Sequence, residues 1–490
     1  MSQEIELKLS ITADAINNFK AVPVLQGIDS DISALENTYF DTPELALTSQ
    51  GTALRIRKLP VGYVQTLKSK GHNVGGLHKR DEWEYPIQGP SLDLSLFPAK
   101  ALPESVDVTM LTPLFKTDFQ RTRWMVNFGQ SLIELVLDQG VISVGDKTDT
   151  ISELELELKN GDINDLLELS LEISKSVAIM PSDISKAERG YRLYQDHSDV
   201  AVALPNIVPQ QSMESAFCAL FGYELEKIQR YWQGYWSTGE WKYLNHVLLT
   251  LGNLDAQVEW FQDLIPEDQQ FYVKAQIHWI EQSLKPILSW WPACFELSQH
   301  ALEDPANLAI SLQQSKAKRA LSAITVLQEN PLLGHRMLSL TAWLHRREWR
   351  QEQTVQQRAK AELAIVDGLD RYLSKAMNAV QMDCFAGSVS NALAQTPAVH
   401  RLLMLCRYFD HFYGKELGEL RAPLEALEDN LSRLSAMEVM ARLKDWINDL
   451  PLEEQASVHS WARSKPVLLR DIKQLAGRLF RNADEIEVHA

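Results

Sequence analysis

Polar and apolar residues alternate strictly through much of the first 200 positions. Residues 4–11 read Glu-Ile-Glu-Leu-Lys-Leu-Ser-Ile, and the same rhythm returns at 53–59, 65–68, 82–87, 121–126, 134–138 and 153–158. A period of two marks half-buried strands. Gly71, Gly75-Gly76, Gly129, Gly140 and Gly145 fall between the runs, where turns are needed. Many strands at short spacing predict an antiparallel barrel or sandwich. Two helical stretches interrupt it: 162–178, with Asp162 as its cap, and a shorter one over 13–19.

After residue 213 the apolar spacing becomes helical. Helices are predicted over 218–231, 243–261, 271–288, 307–327, 334–347, 356–379, 398–412, 423–450 and 467–483. Prolines 266, 292, 331, 397, 423, 451 and 466 are read as breakers between them. Residues 198–212 carry two prolines and no lysine or arginine, and read as a connector. The expected organisation is α+β with two domains: an antiparallel β domain with flanking helices over 1–200, a linker over 201–212, and an all-α helical bundle over 213–490. A length of 490 residues fits, since domains run to about 100–200 residues.

The polar face of the strands is charged, and the charges sort by strand. Same-face sets are Glu4, Glu6 and Lys8; Arg55 and Arg57; Thr66 and Lys68; Arg80, Glu82 and Glu84; Arg121 and Arg123; Glu134 and Asp138; and Glu153, Glu155 and Glu157. One such strand alone also suits a solvent-facing ladder. Seven with complementary signs do not, because a solvated sheet mixes signs along each face. If every charged face points into one closed barrel, burial of that charge demands compensation. Arginine forks match phosphate oxygens. Carboxylates suit Mg2+ or Mn2+, which bind through few carboxylates plus substrate phosphates. A condensed phosphate chain with a divalent cation satisfies both sets.

Composition narrows the partners. A formal net charge of -17 gives no long-range attraction for nucleic acid, so an anion site must be a local concentration of cations. Cys218, Cys294, Cys384 and Cys406 are far apart in sequence and read as buried thiols. MSQEIELKLS has neither a basic nor an apolar leader region, and no run of about 18 apolar residues occurs, so no membrane span and a cytoplasmic location are expected.

Glu4-x-Glu6-x-Lys8 resembles the ExExK signature of the CYTH proteins, the triphosphate tunnel metalloenzymes. LRIRK, TLKSKGHNVGGLHKRDEWEY, FKTDFQRTRWMV, IELVLDQG, ISELELELKNGD and ISKAERGYRLY resemble that family in order. The likeness is to bacterial inorganic triphosphatases with a CYTH domain followed by a CHAD domain. It implies an eight-stranded antiparallel β-tunnel and inorganic triphosphate as substrate. It implies that Lys8, Arg55, Arg57, Lys68, Arg80, Arg121, Arg123 and Lys186 hold the triphosphate. It implies that Glu4, Glu6, Asp138, Glu153 and Glu155 bear on the metals, with Glu4, Glu6 and Lys8 at the chemistry. Lys186 enters through this resemblance only. Related activities, class IV adenylate cyclase or thiamine triphosphatase, stay open, as does non-catalytic polyphosphate binding.

The helical half occupies the place of a CHAD domain, for which the resemblance implies polyphosphate as a partner. HVLLTLGNLDAQVEWF departs from that pattern, having no arginine. Basic clusters occur at Lys316, Lys318 and Arg319, and at His335, Arg336, His345, Arg346, Arg347 and Arg350; both read as solvated helix faces. Trp232, Trp236, Trp241, Trp260, Trp279, Trp290 and Trp291 at helical spacing read as core.

Overall fold

The computed structural model describes residues 2–69, 71–98, 101–195, 202–299, 305–412 and 415–479. Ten strands form one sheet: β1 Ser2–Ile11, β2 Ser30–Asp41, β3 Ala53–Lys58, β4 Tyr63–Lys68, β5 His72–Val74, β6 Leu77–Ile87, β7 Thr112–Phe128, β8 Ser131–Val144, β9 Lys147–Asn160 and β10 Ile179–Pro181. Their order is β10-β1-β9-β8-β7-β2-β3-β4-β6-β5, and β1 also pairs with β6. That pairing closes a ring of eight antiparallel strands, with the short β5 and β10 attached outside it. The expected closed antiparallel tunnel is present.

Two-residue loops join β7 to β8 and β8 to β9, at Gly129 (φ 59°) and Gly145 (φ 55°), where the positive φ favours glycine. Gly140 is not a turn as expected. It lies inside β8, and a Cβ there would stand 2.2 Å from the Asp118 carbonyl oxygen.

The outer face of the ring is apolar. Leu7, Leu9, Leu135, Leu137, Leu154 and Leu156 are fully buried under Phe19 of α1 (Ile16–Lys20) and Leu166, Leu169 and Ile173 of α3 (Ile163–Ser174). Asp162 caps α3 as expected, accepting from the Asn164 amide at 2.9 Å. A second outer cluster joins Leu47 of α2 (Ala46–Ser49) to Leu54, Leu67 and Trp83, beneath Phe97, Ala101 and Val106. A third cluster fills one end of the lumen: Leu35, Tyr39, Phe115, Phe119, Ile142 and Ile151 meet Tyr191 of α4 (Lys186–Gln195). Gly190 lets α4 settle on Phe115, whose ring would lie 2.1 Å from a Cβ.

The remaining helices are α5 Met213–Thr238, α6 Trp241–Trp260, α7 Glu267–Leu284, α8 Trp291–Gln299, α9 Pro305–Gln328, α10 Pro331–Arg346, α11 Val355–Ala361, α12 Val366–Asn378, α13 Val389–Ala394, α14 Thr396–Phe409, α15 Lys415–Met440, α16 Lys444–Asn448, α17 Leu452–Arg463 and α18 Lys465–Leu479. The predicted helix over 356–379 is two, split between Ala361 and Val366. Pro423 does not break a helix; it sits inside α15. Pro331 and Pro466 occupy first turns, where a missing N–H costs nothing.

The chain forms two compact units. One comprises residues 1–202, 222–243 and 327–348; the other comprises 203–221, 244–326 and 349–490. In the first unit α10 packs on α3 and β10. Gly334 touches β10 so closely that a Cβ would lie 1.5 Å from the Ile179 carbonyl oxygen. His335 Nδ1 and Ser174 Oγ are 2.8 Å apart. In the second unit, Phe217, Phe261 and Trp349 form an aromatic core. Glu214 is buried beside it, accepting from Trp349 Nε1 at 2.9 Å and Arg350 Nε at 2.8 Å.

Candidate active site

Cross-strand register settles which side chains share the lumen face, since directly paired residues point the same way. Lys8 pairs with Glu155, and Glu153 with Asp138. Asp138 pairs with Arg121, and on the same strand Thr117 pairs with Asn37. Asn37 pairs with Arg57 and Tyr39 with Arg55. Arg55 pairs with Thr66, Lys68 with Glu82, and Arg80 with Glu4. The circuit returns to its start with the predicted charge sets, the side chain of Arg80 apart, on one face.

One wall is acidic. A carboxylate oxygen from each of Asp138, Glu153 and Glu155 lies within 4.8 Å of the others. Asp138 is fully buried. Lys186 reaches into this group from the start of α4, with Nζ 2.7 Å from Asp138 and 3.1 Å from Glu155, and paired with Glu153. Arg121 grips Asp138 through Nε at 2.8 Å and Nη2 at 2.7 Å, and Glu155 at 2.8 Å. Lys8 bonds Glu155 at 2.5 Å and stands 3.0 Å from Glu6. Burial alone would raise the Glu155 pKa, but Lys186, Lys8 and Arg121 together hold it well below the usual carboxylate range. Burial opposes charge on Lys186 too, yet Asp138, Glu153 and Glu155 raise its pKa.

The facing wall is basic. Arg55 and Arg57 lie on β3, three strands from β8 in one direction and four from β9 in the other. Neither forms an ion pair among the described residues, and Arg55 Nε has no hydrogen-bond partner. Arg57 Nε donates to Asn37 Oδ1 at 2.9 Å, and Asn37 in turn donates to Thr117 Oγ1 at 2.9 Å. Burial, Arg55 and Arg121 push the Arg57 pKa down to about 10. The Tyr39 phenol interacts with Arg55; burial would raise its pKa, but Arg55, with Lys186 and Arg57, lowers it overall. Two buried guanidinium groups side by side, with no ion pair among the described residues, favour an anion between their forks.

The other predicted residues occupy different parts of the lumen. Lys68 bridges Glu4 at 2.8 Å and Glu82 at 3.4 Å. Glu4 and Glu6 lie outside the group formed by Asp138, Glu153 and Glu155. Arg123 is half-exposed, paired with Asp31 at 2.8 Å. The side chain of Arg80 lies outside the described residues. Tyr39, Asn37 and Thr117 were missed by sequence reasoning. The strand of Asn37 and Tyr39, β2, buries Leu35, Asn37, Tyr39 and Asp41, a mixed set that gives no apolar rhythm, while Thr117 sits on β7.

The family model for the CYTH domain matches residues 2–191. The inorganic triphosphatase of Haemophilus influenzae is 37% identical over 240 residues, covering 47% of this chain and 67% of that protein. The chain belongs to the CYTH family. Among solved structures, a Hippeastrum protein described with a dominant triphosphatase activity is 22% identical over 39% of this chain and 95% of its own, with a TM-score of 0.30. The CHAD domain of Ricinus communis is 16% identical over 56% of this chain and 95% of its own, with a TM-score of 0.44.

The donor chemistry of the CYTH lumen fits a divalent cation. Three hard carboxylates converge, and the group already surrounds a compact cation, the Lys186 ammonium. The basic cluster near α10 is spent differently. Arg346 Nη2 donates to Glu168 and to the Asn164 carbonyl, each at 3.0 Å, and Arg350 is committed to Glu214. Both arginines are engaged by carboxylates within their own units. No described helix is long and apolar enough to cross a membrane.

Proposed function

We propose that the CYTH lumen hydrolyses inorganic triphosphate to diphosphate and phosphate in the presence of Mg2+ or Mn2+. The observation that carries this reading is the sorting of charge across one closed ring. Arg55 and Arg57 form no ion pair among the described residues, and they face the three-carboxylate group of Asp138, Glu153 and Glu155. A linear anion with its counter-cation completes both walls at once. The Haemophilus influenzae relative supports the choice of inorganic triphosphate.

Arg55 and Arg57 hold the phosphate chain by their forks, and Asn37 keeps the Arg57 fork aimed into the lumen. Lys8, Lys68, Arg121, Arg123 and Lys186 add positive charge along the path, releasing their carboxylate partners as phosphate oxygens replace them. Asp138, Glu153 and Glu155, with Glu4 and Glu6 nearby in the wall, would hold divalent cations. Such cations supply charge neutralisation and an acidified water for in-line attack on phosphorus. The protein side of the work is positioning and electrostatics, and it needs no side-chain nucleophile.

Phosphate release from inorganic triphosphate, ATP and thiamine triphosphate, with and without Mg2+ or Mn2+, tests the reading. Turnover of inorganic triphosphate well above the organic triphosphates, abolished by EDTA, is expected. Preference for an organic triphosphate would move the assignment to a cyclase or a thiamine triphosphatase. Tight binding of triphosphate without release would make the lumen a capture site.

A further inference from the structure

A cavity of about 240 Å3 lies within the first compact unit, outside the charged lumen, between the ends of β1 and β9, β10 and the helices α5 and α10. Ile11, Met180 and Leu333 give it an apolar floor. Trp236 lines it with an indole that Trp232 braces edge-on, the ring centroids 6.2 Å apart. Gln233, Gln328 and Thr12 supply the polar lining. Two of their atoms, Gln328 Nε2 and Thr12 Oγ1, are buried with no hydrogen-bond partner. Buried polar atoms are rarely left this way, and among the described residues both remain available to a partner in the cavity. The contact of Gly334 with β10 fixes one border, which argues against loose packing as the origin of the space.

The chemistry of the lining excludes an anion. Arg189 is the charged side chain present, and it is spent on Asp149 at 2.8 Å, on the Thr150 carbonyl and, at 3.7 Å, on Glu153 of the lumen. What remains is an aromatic plane, two carboxamides and the hydroxyls of Ser10, Thr12, Thr150 and Ser152, of which Ser10 and Ser152 donate to the Met180 and Ile11 carbonyls. A carboxamide edge beside an indole plane suits a flat, neutral ring with donor and acceptor atoms on its rim.

We propose that this cavity is a second binding site, for a neutral planar heterocycle of the nucleobase class. The ring packs on Trp236, and its acceptor edge takes the Gln328 amide. The proposal does not rest on the hydrolysis reading; the cavity lining touches the lumen set only through Arg189, 3.7 Å from Glu153.

Adenine and uracil titrated into the full chain, followed by calorimetry and by thermal unfolding, test it, with indole and inorganic phosphate as controls. At least one base binds and raises Tm, while phosphate leaves the cavity signal unchanged. Gln328→Leu keeps the fold and weakens base binding about tenfold, the equivalent of one buried hydrogen bond. Gln233→Phe fills the space and abolishes binding. Absence of heat and of a Tm shift with both bases at millimolar concentration overturns the proposal. Equal binding to both variants, or indole binding as tightly as the bases, overturns it as well.

Discussion

Two stretches of this chain carry neighbouring arginines, and they end in opposite electrostatic situations. Arg55 and Arg57 share a face of β3 and form no ion pair among the described residues; their hydrogen-bond contacts are Tyr39 and Asn37, and Glu82 and Glu4 act on Arg55 only at longer range. Arg346 and Arg350, each within its own compact unit, close on Glu168 and Glu214. Both stretches look basic in sequence. The difference teaches that a functional site is marked by charge left uncompensated in a place water cannot fully reach. A paired cation has already been used to hold the fold together.

The comparison breaks first at the lumen. Arg55→Ala or Arg57→Ala lowers kcat/KM for triphosphate by about 10²–10³, the scale of one lost donor to a charged transition state. Tm stays within about 2 °C, because neither residue closes an ion pair. A Tm collapse in either variant would show that these arginines are structural after all.

Arg350→Ala inverts that result. Glu214 is buried, and it keeps Trp349 but loses its charge partner. Stability falls by about 1–3 kcal/mol while kcat/KM is unchanged. A catalytic defect at constant Tm would erase the distinction drawn here.

The acidic wall gives an intermediate case. Asp138→Asn leaves Lys186 and Arg121 short of one buried partner and removes one of three converging carboxylates. It is expected to lower Tm, by up to about 3 kcal/mol of stability, and to raise the Mg2+ needed for half-maximal phosphate release. An unaltered metal requirement would exclude Asp138 from the cation site.

The smallest effect concerns Asp183, which accepts from the Gly76 amide at 2.7 Å. Burial, then Glu226, raises its pKa to about 7. The folded form therefore binds a proton more tightly than the unfolded chain does. That contribution is complete at acid pH and is lost as pH rises towards and through about 7. Asp183→Asn flattens the Tm profile across that window by a few degrees and gains most above neutrality. An unchanged slope would mean that Asp183 is ionised in the fold.

Much of the ring was legible because its strands obey a strict alternation, and a charge on every second residue survives any choice of partner strand. β2 escaped notice since its lumen face mixes Leu35, Asn37, Tyr39 and Asp41, so neither face is purely apolar. Asn37 and Tyr39 were lost with it. Lys186 carried no strand signal, for it begins a helix and reaches the carboxylates from outside the sheet pattern. Gly140 was read as a turn because glycine also serves close backbone approach, which only a neighbouring strand reveals. Pro423 inside α15 and the split of α11 from α12 are helix-boundary errors of the same kind, decided by packing.

The sequence by itself determined the strand rhythm, the sorting of charge onto one face, and the family. Alternation is a property of the backbone pleat, so it needs no knowledge of what each strand meets. Tertiary structure alone decided which cations stay unpaired, where Lys186 goes, and that residues 222–243 and 327–348 belong with the tunnel. Pairing is set by distances between side chains far apart in sequence, and those distances exist only once the ring has closed.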